Sequence, residues 1–284
     1  MKISDIVIDE IIANALKEDI GTSDVTTNAT ISEDAMAHGR FVAKEAGIIC
    51  GLGVCERVFK ILDRDIEFTA NKKDGEAIRV GEVLAEISGK ARALLTGERT
   101  AINLLQRMSG IATKTAAAVA EVAGAKAKIA DTRKTAPGLR VLDKYAVLAG
   151  GGTNHRFNLS DGILIKDNHI AAAGGITAAV GRARANAPHT LKIEVECETL
   201  EDVKEALTAE ADIIMLDNMS NADMKEAVEL IDGRAITEAS GNMGDKDLLE
   251  AAKTGVDIIS VGALTHSVRS LDISLKFDLR YLAL

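Results

Sequence analysis

The sequence predicts an α/β protein in which an N-terminal mixed α/β domain precedes a parallel α/β barrel of about six or seven strands. Three observations carry this prediction. Short apolar runs in the second half begin at residues 191, 212, 235 and 256, a regular spacing that leaves room for one short helix per strand. A polar residue or a glycine closes each of these runs. Aromatic residues make up only 2% of the chain, tryptophan is absent and 47% of residues are hydrophobic, so the core must be Ala, Val, Ile and Leu, which suits parallel strands covered by helices.

The elements follow in order. Ile6, Ile8, Ile11, Ile12 and Leu16 recur at helical spacing behind Ser4 or Asp5 as N-cap. After a polar loop at 18–24, β-like runs at 39–44, 66–70 and 83–88 are separated by glycine-containing turns, with a helix over 54–62. Residues 80–84 resemble a small β module of the carrier-protein kind, but no modifiable lysine sits at a hairpin tip, and the segment reads as scaffold. One long helix, or two joined near Gly110, spans 91–123 and links the domains, with Leu94, Leu95, Ile102, Leu105, Met108 and Ile111 among its apolar positions. Six strands are expected at 127–130, 162–165, 191–195, 212–216, 235–237 and 256–261. Leu271, Ile273, Leu275, Phe277 and Leu279 alternate as a half-buried strand outside the repeat. The expected division is an N-terminal domain of residues 1–105, with the C-terminal strand 268–284 packing on it, and a barrel of residues 106–267.

Composition narrows the functional classes. A net charge of −9 argues against a general nucleic-acid surface. Between Lys126 and Lys166, however, eight Lys and Arg face three acids, a balance of +5. Such a basic island suits a small anionic ligand, although a solvated basic face has the same composition. Cys50, Cys55 and Cys197 lack the paired spacing of a zinc site and read as buried thiols in a reducing compartment. The first nine residues carry acids where a secretion signal needs basic ones, and no apolar stretch approaches the ~20 residues of a membrane span. A cytoplasmic location without membrane attachment is the expectation.

In an α/β barrel the loops after the strands form the catalytic face. After the first strand come Asp131-Thr132-Arg133-Lys134-Thr135, and after the second Lys166-Asp167-Asn168-His169. Glu194 and Glu196 end the third, Asp217-Asn218 follow the fourth, Glu238-Ala239-Ser240-Gly241-Asn242 the fifth and Gly262-Ala263 the sixth. Any one of these is a plausible cap or turn; six at one end of a repeat exceed what capping requires. Arg133, Lys134, Arg156 and Lys166 supply positive charge beside His155, and arginine forks match carboxylate or phosphate oxygens. Glu196 and Asp217 suit Mg²⁺ or sugar hydroxyls. Ser240-Gly241-Asn242 and Gly262-Ala263 are small enough for backbone N–H groups to approach phosphate. Gly150-Gly151-Gly152 lacks dinucleotide-fingerprint spacing and reads as a chain reversal that presents His155 and Arg156. Plainer readings remain beside these. Arg133 and Lys134 are surface charges, Lys166 pairs with Asp167, one of Glu194 and Glu196 serves structure, and His169 fixes a loop.

Together these segments resemble the quinolinate phosphoribosyltransferase family. The resemblance includes Thr96-Gly97-Glu98-Arg99-Thr100 and Gln106-Arg107-Met108-Ser109-Gly110 on the linking helix, Asp131-Thr132-Arg133-Lys134-Thr135, Asn154-His155-Arg156, Lys166-Asp167-Asn168-His169, Glu194-Val195-Glu196, Leu216-Asp217-Asn218 and Glu238-Ala239-Ser240-Gly241-Asn242. It extends over essentially the whole chain, to Ser260-Val261-Gly262-Ala263-Leu264-Thr265-His266. The resemblance implies that the parallel α/β barrel is open, and it implies phosphoribosyl transfer from phosphoribosyl pyrophosphate to quinolinate with decarboxylation, Mg²⁺ as cofactor, and an obligate homodimer, or an assembly of dimers, with shared active sites. It implies that Arg99 is donated across the dimer interface, and that Arg133, His155, Arg156 and Lys166 hold the two substrate carboxylates. Thr132 would then be among the substrate-binding residues, Lys134 would lie nearby on phosphate, Glu196 and Asp217 would manage ribose and Mg²⁺, and Ser240, Gly241, Asn242, Gly262 and Ala263 would cradle phosphate. By the same resemblance Lys134, Glu196 and Asp217 form the catalytic set. The alternatives are a molybdate-associated paralogue, a nicotinate phosphoribosyltransferase-like enzyme, which needs no clamp for a second carboxylate, and, from another class, a Schiff-base aldolase barrel using Lys166. A non-catalytic binding protein would not need Glu196 and Asp217 beside a cation cluster.

Overall fold

A computed structural model describes residues 3–278, and the chain divides into two compact units. The first comprises Met1–Ala116, Ala136–Gly151 and Val268–Leu284; the second comprises Ala117–Thr135 and Gly152–Ser267.

Helix α1 (Asp5–Ile20) buries Ile12 and Leu16; Ser4 stands at its N-cap position, but its side chain makes no capping bond. Helix α2 (Val25–Thr30), which the periodicity does not reveal, is capped by Asp24, whose carboxylate accepts from the Thr27 N–H at 2.9 Å. Strands β1 (Met36–Ala43) and β2 (Gly47–Ile48), helix α3 (Leu52–Leu62) and strands β3 (Glu67–Ala70), β4 (Ala77–Ile78) and β5 (Val83–Lys90) lead into helix α4 (Ala91–Glu121). The 31 residues of α4 form one helix, unbroken at Gly110. No side chain fits at Gly110, because the Arg269 carbonyl occupies the place of a Cβ.

Helix α4 leads to strand β6 (Lys128–Ala130), and helix α5 (Arg140–Ala149) follows in the first unit. The repeat then runs strand β7 (Ile163–Ile165), helices α6 (Asp167–Ala173) and α7 (Ile176–Asn186), strand β8 (Ile193–Cys197), helix α8 (Leu200–Thr208), strand β9 (Ile213–Asp217), helix α9 (Asn221–Ile231) and strand β10 (Ile236–Ser240). A 3₁₀ turn (Met243–Asp245), helix α10 (Leu248–Ala252), strand β11 (Ile258–Ser260), helix α11 (Ala263–His266) and strand β12 (Ile273–Phe277) complete the described elements. Leu279 and the rest of the segment 279–284 lie outside the described residues.

In the first unit β12, β1, β5 and β3 form an antiparallel sheet in that order, with Phe41 opposite Leu275 on one side and Ala85 on the other. Alternation along β1 buries Phe41, which meets Phe59 and Phe68 with ring centroids 6.2 and 5.9 Å apart. The apolar stripe of α4 buries Leu94, Leu105, Met108 and Ile111.

The second unit holds a six-stranded, all-parallel sheet in the order β6-β11-β10-β9-β8-β7. One residue from each strand (Ala130, Ile163, Glu194, Ile213, Glu238 and Ile258) lines a common cavity, so the sheet curls round on itself into a barrel. The end strands β6 and β7 are not neighbours in the sheet, which leaves the barrel open. Alternate residues divide between two faces: Val195, Cys197, Ile214, Leu216, Ala239 and Ile259 are fully buried, whereas Glu194, Glu196, Met215, Asp217, Glu238 and Ser240 belong to the inner face. Capping fixes where helices begin: Thr199 and Asp202 form a reciprocal box on α8, and Ser220 accepts from the Asp223 N–H on α9. All three cysteines are free and buried.

Candidate active site

The C-terminal ends of the six strands surround a cavity of about 440 Å³. Its wall includes Thr132, Arg133 and Lys134 after β6, His155 and Arg156 from the loop before β7, Lys166 after β7, Glu196 at the end of β8, Asp217 at the end of β9, and Ser240, Gly241 and Asn242 at the end of β10. Gly262 and Ala263 stand one layer behind. A Cβ at Gly262 would lie 3.0 Å from Lys134 Cδ, and Thr265 Oγ1 donates to the Lys134 carbonyl at 2.8 Å, so this segment braces the Lys134 loop. Arg99 is exposed on α4 in the first unit and is not among the residues lining this cavity.

The cations are held close together against their mutual repulsion. Arg156 Nη1 donates to the Gly162 carbonyl at 2.7 Å, while its buried Nε has no hydrogen-bond partner within the protein. Burial and then the like charge of Arg133 lower the Arg156 pKa, partly offset by Glu194 and Asp161. Two guanidinium groups this near, one with a donor unsatisfied, describe a place for an anion. Lys166 Nζ lies 2.8 Å from Glu196 Oε2, so its ion pair crosses to the neighbouring strand instead of joining Asp167. His169 Nδ1 accepts from the Lys166 N–H at 3.0 Å and closes the first turn of α6.

The phosphate-type loop has the backbone shape its residues allow. Gly241 has φ +89° and Asn242 φ +52°. A Cβ at Gly241 would sit 2.6 Å from the Asn218 backbone nitrogen, so only glycine lets the two strand ends close. Asp217 is paired in register with Ser240, and its carboxylate accepts from Asn218 Nδ2 at 2.6 Å. Glu196 and Asp217 thus present two oxygen donors on adjacent strands at the cavity wall. That set suits a hard cation held by one or two carboxylates together with ligand phosphate oxygens.

Sequence reasoning left Glu238 and Glu194 without a place in the site. Glu194 is 4% exposed and Glu238 2% exposed, both on the inner face of the barrel. His155 Nε2 lies 3.1 Å from Glu194 and 3.7 Å from Glu238, and Nδ1 accepts from the Arg156 N–H at 2.7 Å. The ring proton therefore sits on Nε2, aimed at the two carboxylates. The ligand atoms of the three residues lie within 4.8 Å of one another, but the 3.1 Å contact is a hydrogen bond, and a proton fills that place. Asp131, fully buried, supports the same loop by accepting from the His155 N–H at 2.9 Å and from Asn154 Nδ2 at 2.6 Å. One signal was available: Glu194 shares strand parity with Glu196, and Glu238 shares it with Ser240, so a residue in an apolar run that matches the phase of a site residue faces the same interior.

Similarity to known proteins extends over most of the chain. Residues 24–109 match the family described as quinolinate phosphoribosyl transferase, N-terminal domain, and residues 111–276 match the corresponding C-terminal domain. A probable nicotinate-nucleotide pyrophosphorylase (carboxylating) of Bacillus subtilis (strain 168) is 49% identical over 262 residues, covering 92% of this chain and 90% of that one. The chloroplastic nicotinate-nucleotide pyrophosphorylase (carboxylating) of Oryza sativa subsp. japonica is 47% identical over 283 residues, covering 93% and 76%. The crystal structure of NadC from Streptococcus pyogenes superposes with a TM-score of 0.91 at 45% identity, over 97% of this chain and 98% of that one.

Proposed function

The chain belongs to the quinolinate phosphoribosyltransferase family, and on that premise we propose how its residues carry out the family's reaction. The activity is transfer of phosphoribosyl from phosphoribosyl pyrophosphate to quinolinate with decarboxylation, giving nicotinate mononucleotide, pyrophosphate and CO₂ in NAD biosynthesis. The observation that carries the residue assignment is the gathering of Arg133, Lys134, Arg156 and Lys166 around one cavity, with a buried Arg156 donor unsatisfied.

In this reading Arg133, Arg156 and Lys166 bind the two carboxylates of quinolinate and orient the ring nitrogen toward the sugar's anomeric carbon. Thr132 and Lys134 lie at the phosphoribosyl donor, and the Ser240-Gly241-Asn242 loop, backed by Gly262 and Ala263, receives its phosphate. As pyrophosphate departs, the anomeric carbon becomes cationic, and the carboxylates of Glu196 and Asp217 favour that charge. The positive charge of the new pyridinium then stabilises the electron pair left on the adjacent ring carbon when its carboxylate leaves as CO₂. His155 lines the cavity, but both its ring nitrogens are turned to protein groups, so in this reading it orients the Arg156 loop in place of holding a carboxylate as the resemblance implied. Glu196 and Asp217 would also hold Mg²⁺, which when bound neutralises charge on the pyrophosphate leaving group. Lys166 belongs to a cation set and is ion-paired to Glu196, which favours orientation by charge over the Schiff-base alternative.

Incubating the protein with quinolinate, phosphoribosyl pyrophosphate and Mg²⁺ is expected to yield equimolar pyrophosphate, CO₂ and nicotinate mononucleotide. Excess chelator is expected to abolish turnover, and full turnover in chelator would overturn the metal assignment.

The reading includes a homodimer with shared sites, in which Arg99 serves the partner's cavity. Its support is that Arg99 is exposed and belongs to a different compact unit from the cavity residues. Mixing inactive Arg99→Ala with inactive Lys166→Ala subunits is then expected to restore part of the activity, since some heterodimer sites carry neither lesion. Failure to complement despite demonstrated subunit exchange would reject the shared site. The reading also places the protein in the cytoplasm, supported by the free, buried cysteines. Among the described residues no helix is long and apolar enough to cross a membrane.

A further inference from the structure

Loss of CO₂ leaves an electron pair on the ring carbon beside the pyridinium nitrogen, and that carbon must gain a proton before product departs. The other groups on the cavity wall are ill suited to give one: the guanidinium groups hold their protons, Lys166 is tied to Glu196, Lys134 is committed in this reading to the donor's phosphate, and Asp217 accepts a hydrogen bond. We propose that Glu238 is the acid that protonates this carbon, and that a second cavity inside the barrel reloads it from solvent. The proposal rests on the reading of the site given above.

Glu238 stands on the wall between two cavities. It lines the catalytic-face cavity and also a cavity of about 310 Å³ that reaches Thr190 and Lys192, at the opposite ends of the strands. Its side chain is 2% exposed and its buried Oε1 has no hydrogen-bond partner. Four groups face the carboxyl: Glu194 from β8, His155 Nε2 at 3.7 Å, the Ser260 hydroxyl from β11, and Asp131 from the end of β6. Burial and then the charge of Glu194 push the Glu238 pKa up to about 7, with only partial opposition from His155 and Ser260. Because the pKa is raised, the proton-bearing form is present below about pH 7 and is lost as pH rises through it. A dianionic ligand in the cavity acts in the same direction.

The step balances. The bond from the ring carbon to the carboxylate breaks, its electron pair stays on the ring carbon, and CO₂ leaves. That pair takes the proton of the Glu238 O–H, leaving the Glu238 carboxylate, which regains a proton from water admitted through the second cavity. One proton is consumed for each CO₂ released.

The test is Glu238→Gln in the full-length enzyme under single-turnover conditions, following pyrophosphate and nicotinate mononucleotide together. Nicotinate mononucleotide formation is expected to fall about 100-fold relative to pyrophosphate release, within the usual range for removal of a general acid. In the unaltered enzyme nicotinate mononucleotide formation is expected to decline above about pH 7, and in this variant that decline is expected to disappear. Glu194→Gln supplies an independent reading if Glu238→Gln fails to fold: removing the neighbouring charge should move the decline to lower pH. Equal slowing of both products in Glu238→Gln, or a decline that stays in place in either variant, would overturn the proposal. Absence of pyrophosphate release by the unaltered enzyme with quinolinate would instead overturn the underlying reading of the site.

Discussion

Replacing Arg156 by alanine is expected to lower kcat/KM for quinolinate by about ten- to a hundredfold, because a charge-assisted hydrogen bond contributes roughly 1.5–3 kcal/mol and each 1.4 kcal/mol is about a factor of ten. Arg133→Ala and Lys166→Ala should behave alike. The three cations come from separate loops, after β6, before β7 and after β7, and only the curl of the sheet brings them to one wall. Burial and then the like charge of Arg133 lower the Arg156 pKa, and a ligand with two anionic groups offsets both. Arg156→Lys should also lose most of the gain, since a point charge cannot reproduce a planar fork already anchored on the Gly162 carbonyl. Calorimetry separates the possibilities. If quinolinate affinity is unchanged in all three alanine variants while phosphoribosyl pyrophosphate affinity drops, the cluster binds phosphate alone.

Asp143→Ala is expected to cost about 3–5 kcal/mol of folding stability, the range for breaking a buried ion pair from one side. Asp143 on α5 is fully buried and takes Arg107 Nε and Nη2 at 2.8 Å each, and it also accepts from the Ala136 N–H at 3.1 Å. Removing the carboxylate therefore withdraws acceptors from three donors at once. Urea unfolding of Asp143→Ala and of the double variant Asp143→Ala with Arg107→Met distinguishes the cause. The double variant should be the more stable of the two, and equal stabilities would mean that the loss comes from packing and not from charge.

Local pattern made much of the fold legible. Six strands lie where the apolar runs place them, because a strand of a parallel sheet is buried on both faces and announces itself as a short continuous run. The 31-residue α4 was legible as a stripe, although its continuity through Gly110 was not, since that depends on the Arg269 backbone far along the chain. Helix α5 and the two-stranded pair of β2 with β4 were not read at all. Two-residue strands carry no periodicity, and α5 follows a basic loop whose charges drew the functional reading. The pairing of β12 with β1 joins Ile273 to Ala43, a long-range choice that alternation permits but does not dictate.

The sequence by itself determined which residue types close each strand, and therefore that cations, carboxylates and small residues collect at one end of the barrel. That inference needs only the strand period and the rule that all parallel strands end on the same face. Tertiary structure alone decided that Lys166 pairs with Glu196, that Arg133 raises the cost of charging Arg156, and that His155 turns toward Glu194 and Glu238. Periodicity reports on neighbours two to four positions away, whereas the protonation of Glu238 depends on Asp131, His155, Glu194 and Ser260, which only the curling of the sheet brings into one low-dielectric space.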